Sequence, residues 1–211
     1  PMFLICYQQT IIKTYSNGDQ YKGELKNQEP NGNGMYIWAN KTYYIGQFLE
    51  GEKHGYGIVT YPDGQVFKGT FINDLRFGIG HHKFANKDEY FGDFSEDVVQ
   101  GAGRYIFADG SQYTGAFVNS YMQGYGTMLK DQKYTFYGDY YMNKRHGPGV
   151  FVTSTDETVY YSNFENGKIS GQVFKLEDDS EVVGSELEKV LANIIPDKEM
   201  QIINFYKPIE K

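Results

Sequence analysis

A glycine returns every 23 residues through most of this chain, at Gly23, Gly46, Gly69, Gly92, Gly115 and Gly138. A pair travels with each: Gly32 and Gly34, then Gly55 and Gly57, Gly78 and Gly80, Gly101 and Gly103, Gly124 and Gly126, Gly147 and Gly149. Aromatics keep the same beat. Tyr21, Tyr44, Phe67, Tyr90, Tyr113 and Phe136 stand two residues before each first glycine, and Leu25, Phe48, Phe71, Phe94, Phe117 and Tyr140 two residues after. A fixed period of this length marks an array of like units, each packing mainly on its neighbours.

Within one unit, Tyr44-Ile45-Gly46-Gln47-Phe48 alternates large and small side chains with period two, the pattern of a strand with unlike faces. Residues 49–54 are polar and read as a turn, and Gly55 to Tyr61 reads as a second strand. Pro62-Asp63-Gly64 is a tight turn into the next unit. Each unit is therefore a β-hairpin. Placing a glycine between two rings on one face leaves a gap, which a side chain from the adjacent strand is expected to fill. The opposite face carries Lys22, Glu24, Gln47, Lys68, Thr70, Asp93, Thr114 and Asp139 and is expected to be solvated.

The expected fold is all-β: an elongated single-layer antiparallel sheet of stacked 23-residue hairpins, curled into an aromatic-lined trough. Seven units at two strands each would span about 65–70 Å. At the start, Ile11 to Tyr15 reads as a degenerate second strand and Met2 to Tyr7 as its partner. At the far end Ser162 and Val173 replace glycines, and one extra residue falls in the turn Thr153 to Glu157. Val173 to Leu176 and Glu181 to Val183 read as the last strands. The period then changes: Leu187, Val190, Leu191, Ile194 and Ile195 define one helix face, with Ser185 and Glu188 as a capping box and Pro196 as terminator. Residues 197–206 suggest a second short helix. The array is thus assigned to 1–184 and a helical cap, closing the open sheet edge, to 185–211.

The net charge of −7 and pI near 5.1 disfavour bulk nucleic-acid binding and unaided docking on anionic lipid. A local basic strip at Lys144, Arg145 and His146 keeps membrane contact as an alternative. The single Cys6 forms no internal disulfide and suits a reducing compartment. No stretch reaches the length of a membrane-spanning helix. Pro1 in place of an initiator Met reads as a cloning remnant or as the start of a piece of a longer protein.

The run Tyr44-Ile45-Gly46-Gln47-Phe48, Gly51-Glu52-Lys53-His54-Gly55-Tyr56-Gly57, Tyr61-Pro62-Asp63-Gly64 resembles a MORN repeat, and the resemblance extends over about residues 11 to 184. Phe77, Gln100 and Gln123 depart from the pattern at the His before the glycine pair, and Ser162 and Val173 break the seventh unit. The resemblance implies a non-enzymatic binding and scaffold module of cytoskeletal or ciliary assemblies, including radial spokes of the axoneme. Some relatives bind a helical or extended segment of a partner protein in the trough. It also leaves open a phospholipid-binding module or a regulatory segment of a larger enzyme such as a lipid kinase.

No residue constellation points to catalysis, a metal or a cofactor. His54 and His146 lie four units apart, His81 and His82 point to opposite faces of a strand, and Asp178-Asp179 lacks calcium-loop spacing. The partner-binding candidates are the mid-array rings Tyr36, Trp38, Tyr61, Phe84, Tyr105 and Phe107. Homodimerisation, edge to edge or through the tail, stays open.

Overall fold

The computed structural model describes residues 11–175 and the short strand 181–182. The strands are β1 (Ile11–Thr14), β2 (Gln20–Lys26), β3 (Glu29–Ile37), β4 (Tyr43–Leu49), β5 (Glu52–Thr60), β6 (Val66–Ile72), β7 (Leu75–Lys83), β8 (Glu89–Ser95), β9 (Val98–Ile106), β10 (Gln112–Val118), β11 (Tyr121–Lys130), β12 (Tyr134–Tyr141), β13 (Lys144–Thr153), β14 (Val159–Glu165), β15 (Lys168–Lys175) and β16 (Glu181–Val182). Two compact units divide between Val98 and Val99. In the first, β1 to β8 are antiparallel neighbours in chain order. In the second, β9 to β16 follow the same rule. The described residues are all-β. The expected strand Met2–Tyr7, the boundary at 184 and the helical cap lie outside them.

Two turn types alternate, and each follows from its residues. Between hairpins, the Tyr61 N–H donates to Gln65 O at 2.9 Å and Gly64 N–H to Tyr61 O at 3.0 Å, while the Asp63 carboxylate accepts from Gln65 N–H at 3.0 Å. Within hairpins, two residues suffice: Asn73 (φ 49°) and Asp74 (φ 69°) are both left-handed, as a turn matching the strand twist requires. The short turn extends β5 back to Glu52. Glu52, Lys53 and His54 are therefore strand and not turn, a correction to the sequence reading. The extra residue falls where expected: Thr153 N–H reaches Thr158 O, five residues on, where Tyr61 reaches Gln65, four on.

The register explains the glycines. Gly23, Gly34, Gly46, Gly57, Gly69, Gly80 and Gly92 stand opposite one another from strand to strand in the first unit. Gly103, Gly115, Gly126, Gly138 and Gly149 do so in the second. The gap above each pair is filled by the ring two residues before its first-strand glycine: the second-strand glycine is covered from the neighbouring strand, as the sequence suggested, and the first-strand glycine by a ring of its own strand. Phe67 leans along β6 so far that a Cβ at Gly69 would fall 2.6 Å from its Cζ and one at Gly80 2.6 Å from its Cε2. Tyr21, Tyr44, Tyr90, Tyr113 and Phe136 are fully buried in the equivalent way. Where the ring is a tyrosine, its hydroxyl crosses the glycine and donates to a backbone carbonyl, as Tyr44 does to Gln47 O at 2.8 Å.

The glycine before each pair-forming one does a different job. Gly57 pairs with Gly46, yet Lys53 pairs with Phe48, so three residues of β5 face Gln47 alone. This bulge puts Gly55 at φ 65°.

The buried rings form an edge-to-face zipper. Tyr44 meets Phe48 at 5.0 Å and 90° and Phe71 at 5.3 Å and 83°. Phe67 meets Phe71 at 5.3 Å and 85° and Phe94 at 5.1 Å and 81°. In the second unit Tyr113 meets Tyr140 at 75° and Phe136 meets Phe164 at 80°. Each such pair adds about 0.5–1.5 kcal/mol beyond burial. The zipper stops where the glycines stop. Ser162 and Val173 pair across β14 and β15, both buried, and their side chains occupy the space a ring would take. Tyr160, two residues before Ser162, is accordingly only half-buried.

Candidate binding surfaces

A second tier of aromatics stands on the closed zipper, on the same face. Tyr36, Trp38, Tyr61, Phe84 and Phe107 are half-buried, whereas Tyr105 is 4% exposed and belongs to the packed layer. Of the six expected trough residues, five therefore present ring surface and one does not. Tyr36 lies between Tyr15, at 5.7 Å, and Trp38, at 4.7 Å. His82 carries Phe84 at 4.1 Å, and Tyr105 carries Phe107 at 4.7 Å. The Tyr36 hydroxyl donates to the Asp19 carboxylate at 2.8 Å. Partial burial of Asp19 works the other way, but hydrogen bonds from Tyr36, the Ala39 N–H and Asn17 hold its carboxyl below the usual range.

Cations are set into this aromatic face, which sequence reasoning missed. Residues 53, 76 and 145 share one repeat position at the start of each hairpin's second strand. Lys53 Nζ lies 2.7 Å from Asp74, 5.7 Å from the Trp38 ring and 5.9 Å from that of Phe71. The Arg76 guanidinium lies over Phe67 at 5.4 Å and Phe94 at 5.1 Å, with Nε 2.7 Å from Asp97. Arg145 lies over Phe136, Phe151 and Phe164 at 5.3, 5.2 and 5.6 Å. The signal was available: a cation recurring in phase with the rings lies on their face.

Arg76 also places Nη1 3.3 Å from His82 Nδ1. Burial, and then the charges of Arg76 and His81, push the His82 imidazole down to about 3, so it is neutral. His81, next in sequence, faces the other way, as expected from strand alternation. It stacks on Phe91 at 3.9 Å and 11° and bonds Glu89 at 2.9 Å.

The opposite face differs from expectation. Ile79 is 78% exposed, Tyr56 60% and Ile45 48%, among the polar residues the sequence placed there. In register, Met35, Ile45 and Ile58 are direct cross-strand neighbours. In the second unit Tyr125 is 65% exposed on the equivalent position. Strand alternation puts these residues on this face beside the polar ones, so its polar character was overstated in the sequence reading.

The basic strip does not hold together on one face, because Arg145 turns onto the rings while Lys144 and His146 stay exposed. Asp178 and Asp179 lie outside the described residues. Among the described residues, no three or more His, Cys, Asp or Glu side chains converge as metal ligands, and no helix is long and apolar enough to cross a membrane.

Comparison with protein families matches the MORN repeat at residues 21–43, 44–66, 67–89, 90–112, 113–131 and 136–156, more than half of the chain. The chain belongs to the MORN repeat family. The matched spans coincide with the hairpins whose glycine rows are intact, and the match ends before Ser162. No curated protein sequence matches the chain significantly. Among solved structures, this MORN protein is similar to the TCP10 domain of Danio rerio CPAP in complex with a peptide of Danio rerio STIL, at 14% identity and TM-score 0.47, over 83% of this chain and 82% of that one. It is also similar to the TCP domain of Drosophila melanogaster SAS-4 (dCPAP) in complex with a proline-rich motif of Ana2 (dSTIL), at 11% identity and TM-score 0.46, over 87% of this chain and 92% of that one.

Proposed function

We propose that this MORN array is a non-enzymatic scaffold that binds an extended or helical segment of a partner protein on its aromatic face, within a cytoskeletal or ciliary assembly. The observation that carries the reading is the second aromatic tier. Below it the zipper rings are buried, and Tyr36, Trp38, Tyr61 and Phe84 each stand partly exposed above them. Rigid aromatic side chains offer contact area at low entropic cost and anchor binding interfaces. The cytoskeletal or ciliary setting rests on family resemblance. A phospholipid-binding module draws less support, since the one basic strip is divided by the inward turn of Arg145.

The test is crosslinking mass spectrometry on the native complex, followed by capture of the identified partner with two double variants. Tyr61→Ala/Phe84→Ala is expected to lose the partner, and Ile45→Ser/Ile79→Ser on the opposite face to retain it. The reverse pattern would move the interface to the exposed apolar face and refute this reading. Salt-sensitive flotation with phosphoinositide vesicles, in the absence of any protein partner, would favour the lipid module instead.

A further inference from the structure

The cations at the shared repeat position, Lys53, Arg76 and Arg145, are not equally partnered. Asp97 Oδ1 accepts from both the backbone N–H of Arg76, at 2.9 Å, and its Nε, at 2.7 Å, and Asp97 O accepts from Nη2 at 2.8 Å. Asp74 serves Lys53 in the same manner, accepting its backbone N–H at 2.9 Å and its Nζ at 2.7 Å. These aspartates are recognisable by their own backbone bonds: Asp74 N–H donates to Lys53 O and Asp97 N–H to Arg76 O. For Arg145 the residue making that bond is Gly167, at 2.9 Å. There the place of the aspartate is held by a residue with no side chain.

Arg145 otherwise reproduces the Arg76 site. Phe136 and Phe164 stand where Phe67 and Phe94 do, and Phe151 replaces His82. The guanidinium is half-buried against three rings and makes no ion pair among the described residues. A cation partly withdrawn from water gains from ring faces but is best satisfied by a carboxylate in fork geometry. Across residues 134–175, Lys144, Arg145, Lys168 and Lys175 balance Asp139, Asp156, Glu157 and Glu165, so this region lacks the acidic excess of the whole chain, net −7, and does not repel an anion.

We propose that Arg145 is a receptor for a carboxylate side chain of the partner segment. An Asp or Glu of the partner takes the place that Asp97 holds beside Arg76, bonding Nε and the terminal guanidinium nitrogens, while the flanking rings exclude water. The proposal rests on the peptide-scaffold reading and names one chemical requirement of the partner: an acidic residue at this point.

The test uses the full chain with labelled arginine. The Arg145 Nε–H resonance is followed by NMR while acetylated, amidated Gly-Glu-Gly-Glu-Gly is added, with the Gln analogue and inorganic phosphate as separate arms at matched ionic strength. Saturable movement with the Glu peptide alone is expected. Gly167→Asp supplies the missing aspartate; Asp97, at φ 69°, shows that the backbone tolerates it. This variant should keep its fold and weaken peptide binding at least tenfold, as should Arg145→Met followed through the backbone N–H of Gly167, which donates to the carbonyl of residue 145. Absent saturation, an equal response to the Gln peptide, tighter binding of phosphate, undiminished binding in Gly167→Asp, or loss of its fold would each overturn the proposal. Capture of the partner through Tyr61 and Phe84 lies in the other unit and reads independently.

Discussion

Replacing Gly80 by alanine tests the account of the glycine row most directly. A Cβ there would lie 2.6 Å from Phe67 Cε2, 2.7 Å from its Cζ and 3.2 Å from Phe94 Cδ2. Carbon contacts are comfortable only from about 3.5 Å, so the Phe67 ring must retreat by roughly 1 Å. It cannot do so freely, because Phe71, Phe94, His82 and Arg76 all pack around it. Strained overpacking costs about 1–3 kcal/mol, and complete loss of a buried Phe about 3–5 kcal/mol. The expected cost of Gly80→Ala is therefore about 2–4 kcal/mol. Gly78→Ala is the control: its Cβ would meet nothing within 4 Å, and only φ 65° opposes it, at about 1–2 kcal/mol. Denaturant unfolding followed by Trp38 fluorescence, the single Trp and in the same unit, measures both. In a Phe67→Val background the ring no longer reaches across, and Gly80→Ala should become neutral or stabilising, since alanine is the better strand residue. Equal costs at positions 78 and 80, or a cost at Gly80 that persists unchanged in the Phe67→Val background, would refute the ring-over-glycine mechanism.

Acid should destabilise the first unit through His82, whose folded pKa lies below its unfolded one. Its contribution is complete above about pH 6.5 and is lost as pH falls from there toward about 3, by up to about 1.4 kcal/mol per pH unit. His82→Phe should flatten that part of the stability–pH curve, and a curve with unchanged slope would count against a buried neutral imidazole. Asp97→Asn withdraws the anion from Arg76, whose side chain is 8% exposed while that of Asp97 is 44% exposed. The exposure of the aspartate screens the pair, so a loss of about 1–3 kcal/mol is expected in urea unfolding. Tyr44→Phe removes only the bond to Gln47 O and keeps the ring, as Phe67 and Phe136 do naturally. It should cost about 1 kcal/mol, and a loss as large as that of Gly80→Ala would mean that the hydroxyl, and not the ring, holds the hairpin.

Much of the architecture was legible before any coordinates. The Pro62-Asp63-Gly64 turn, the alternation of Tyr44, Gly46 and Phe48, and the loss of glycine at Ser162 and Val173 are local signals, and they correspond to an observed turn, an observed face and the end of the glycine row. The single extra residue between Thr153 and Thr158 could be counted from the shift in period alone. Less legible was exposure. Tyr105 and Tyr36 occupy equivalent positions 69 residues apart, yet only Tyr36 is left partly open, because burial depends on which side chains stand on the neighbouring strands. The polar residues of the opposite face hid Ile45, Tyr56 and Ile79 among them for the same reason.

The glycine period by itself determined that the chain is a stack of hairpins with one ring-bearing face, because turn conformation and side-chain alternation depend on residues a few places apart. Only the tertiary structure decided what each glycine makes room for. The answer depends on how far a ring leans along its strand and on which glycine the register sets opposite. It also decided that Asp97 answers Arg76 while Gly167 stands beside Arg145. Those pairs lie more than twenty residues apart, so which residue meets each cation is set by the pairing between hairpins and not by the local pattern of either strand.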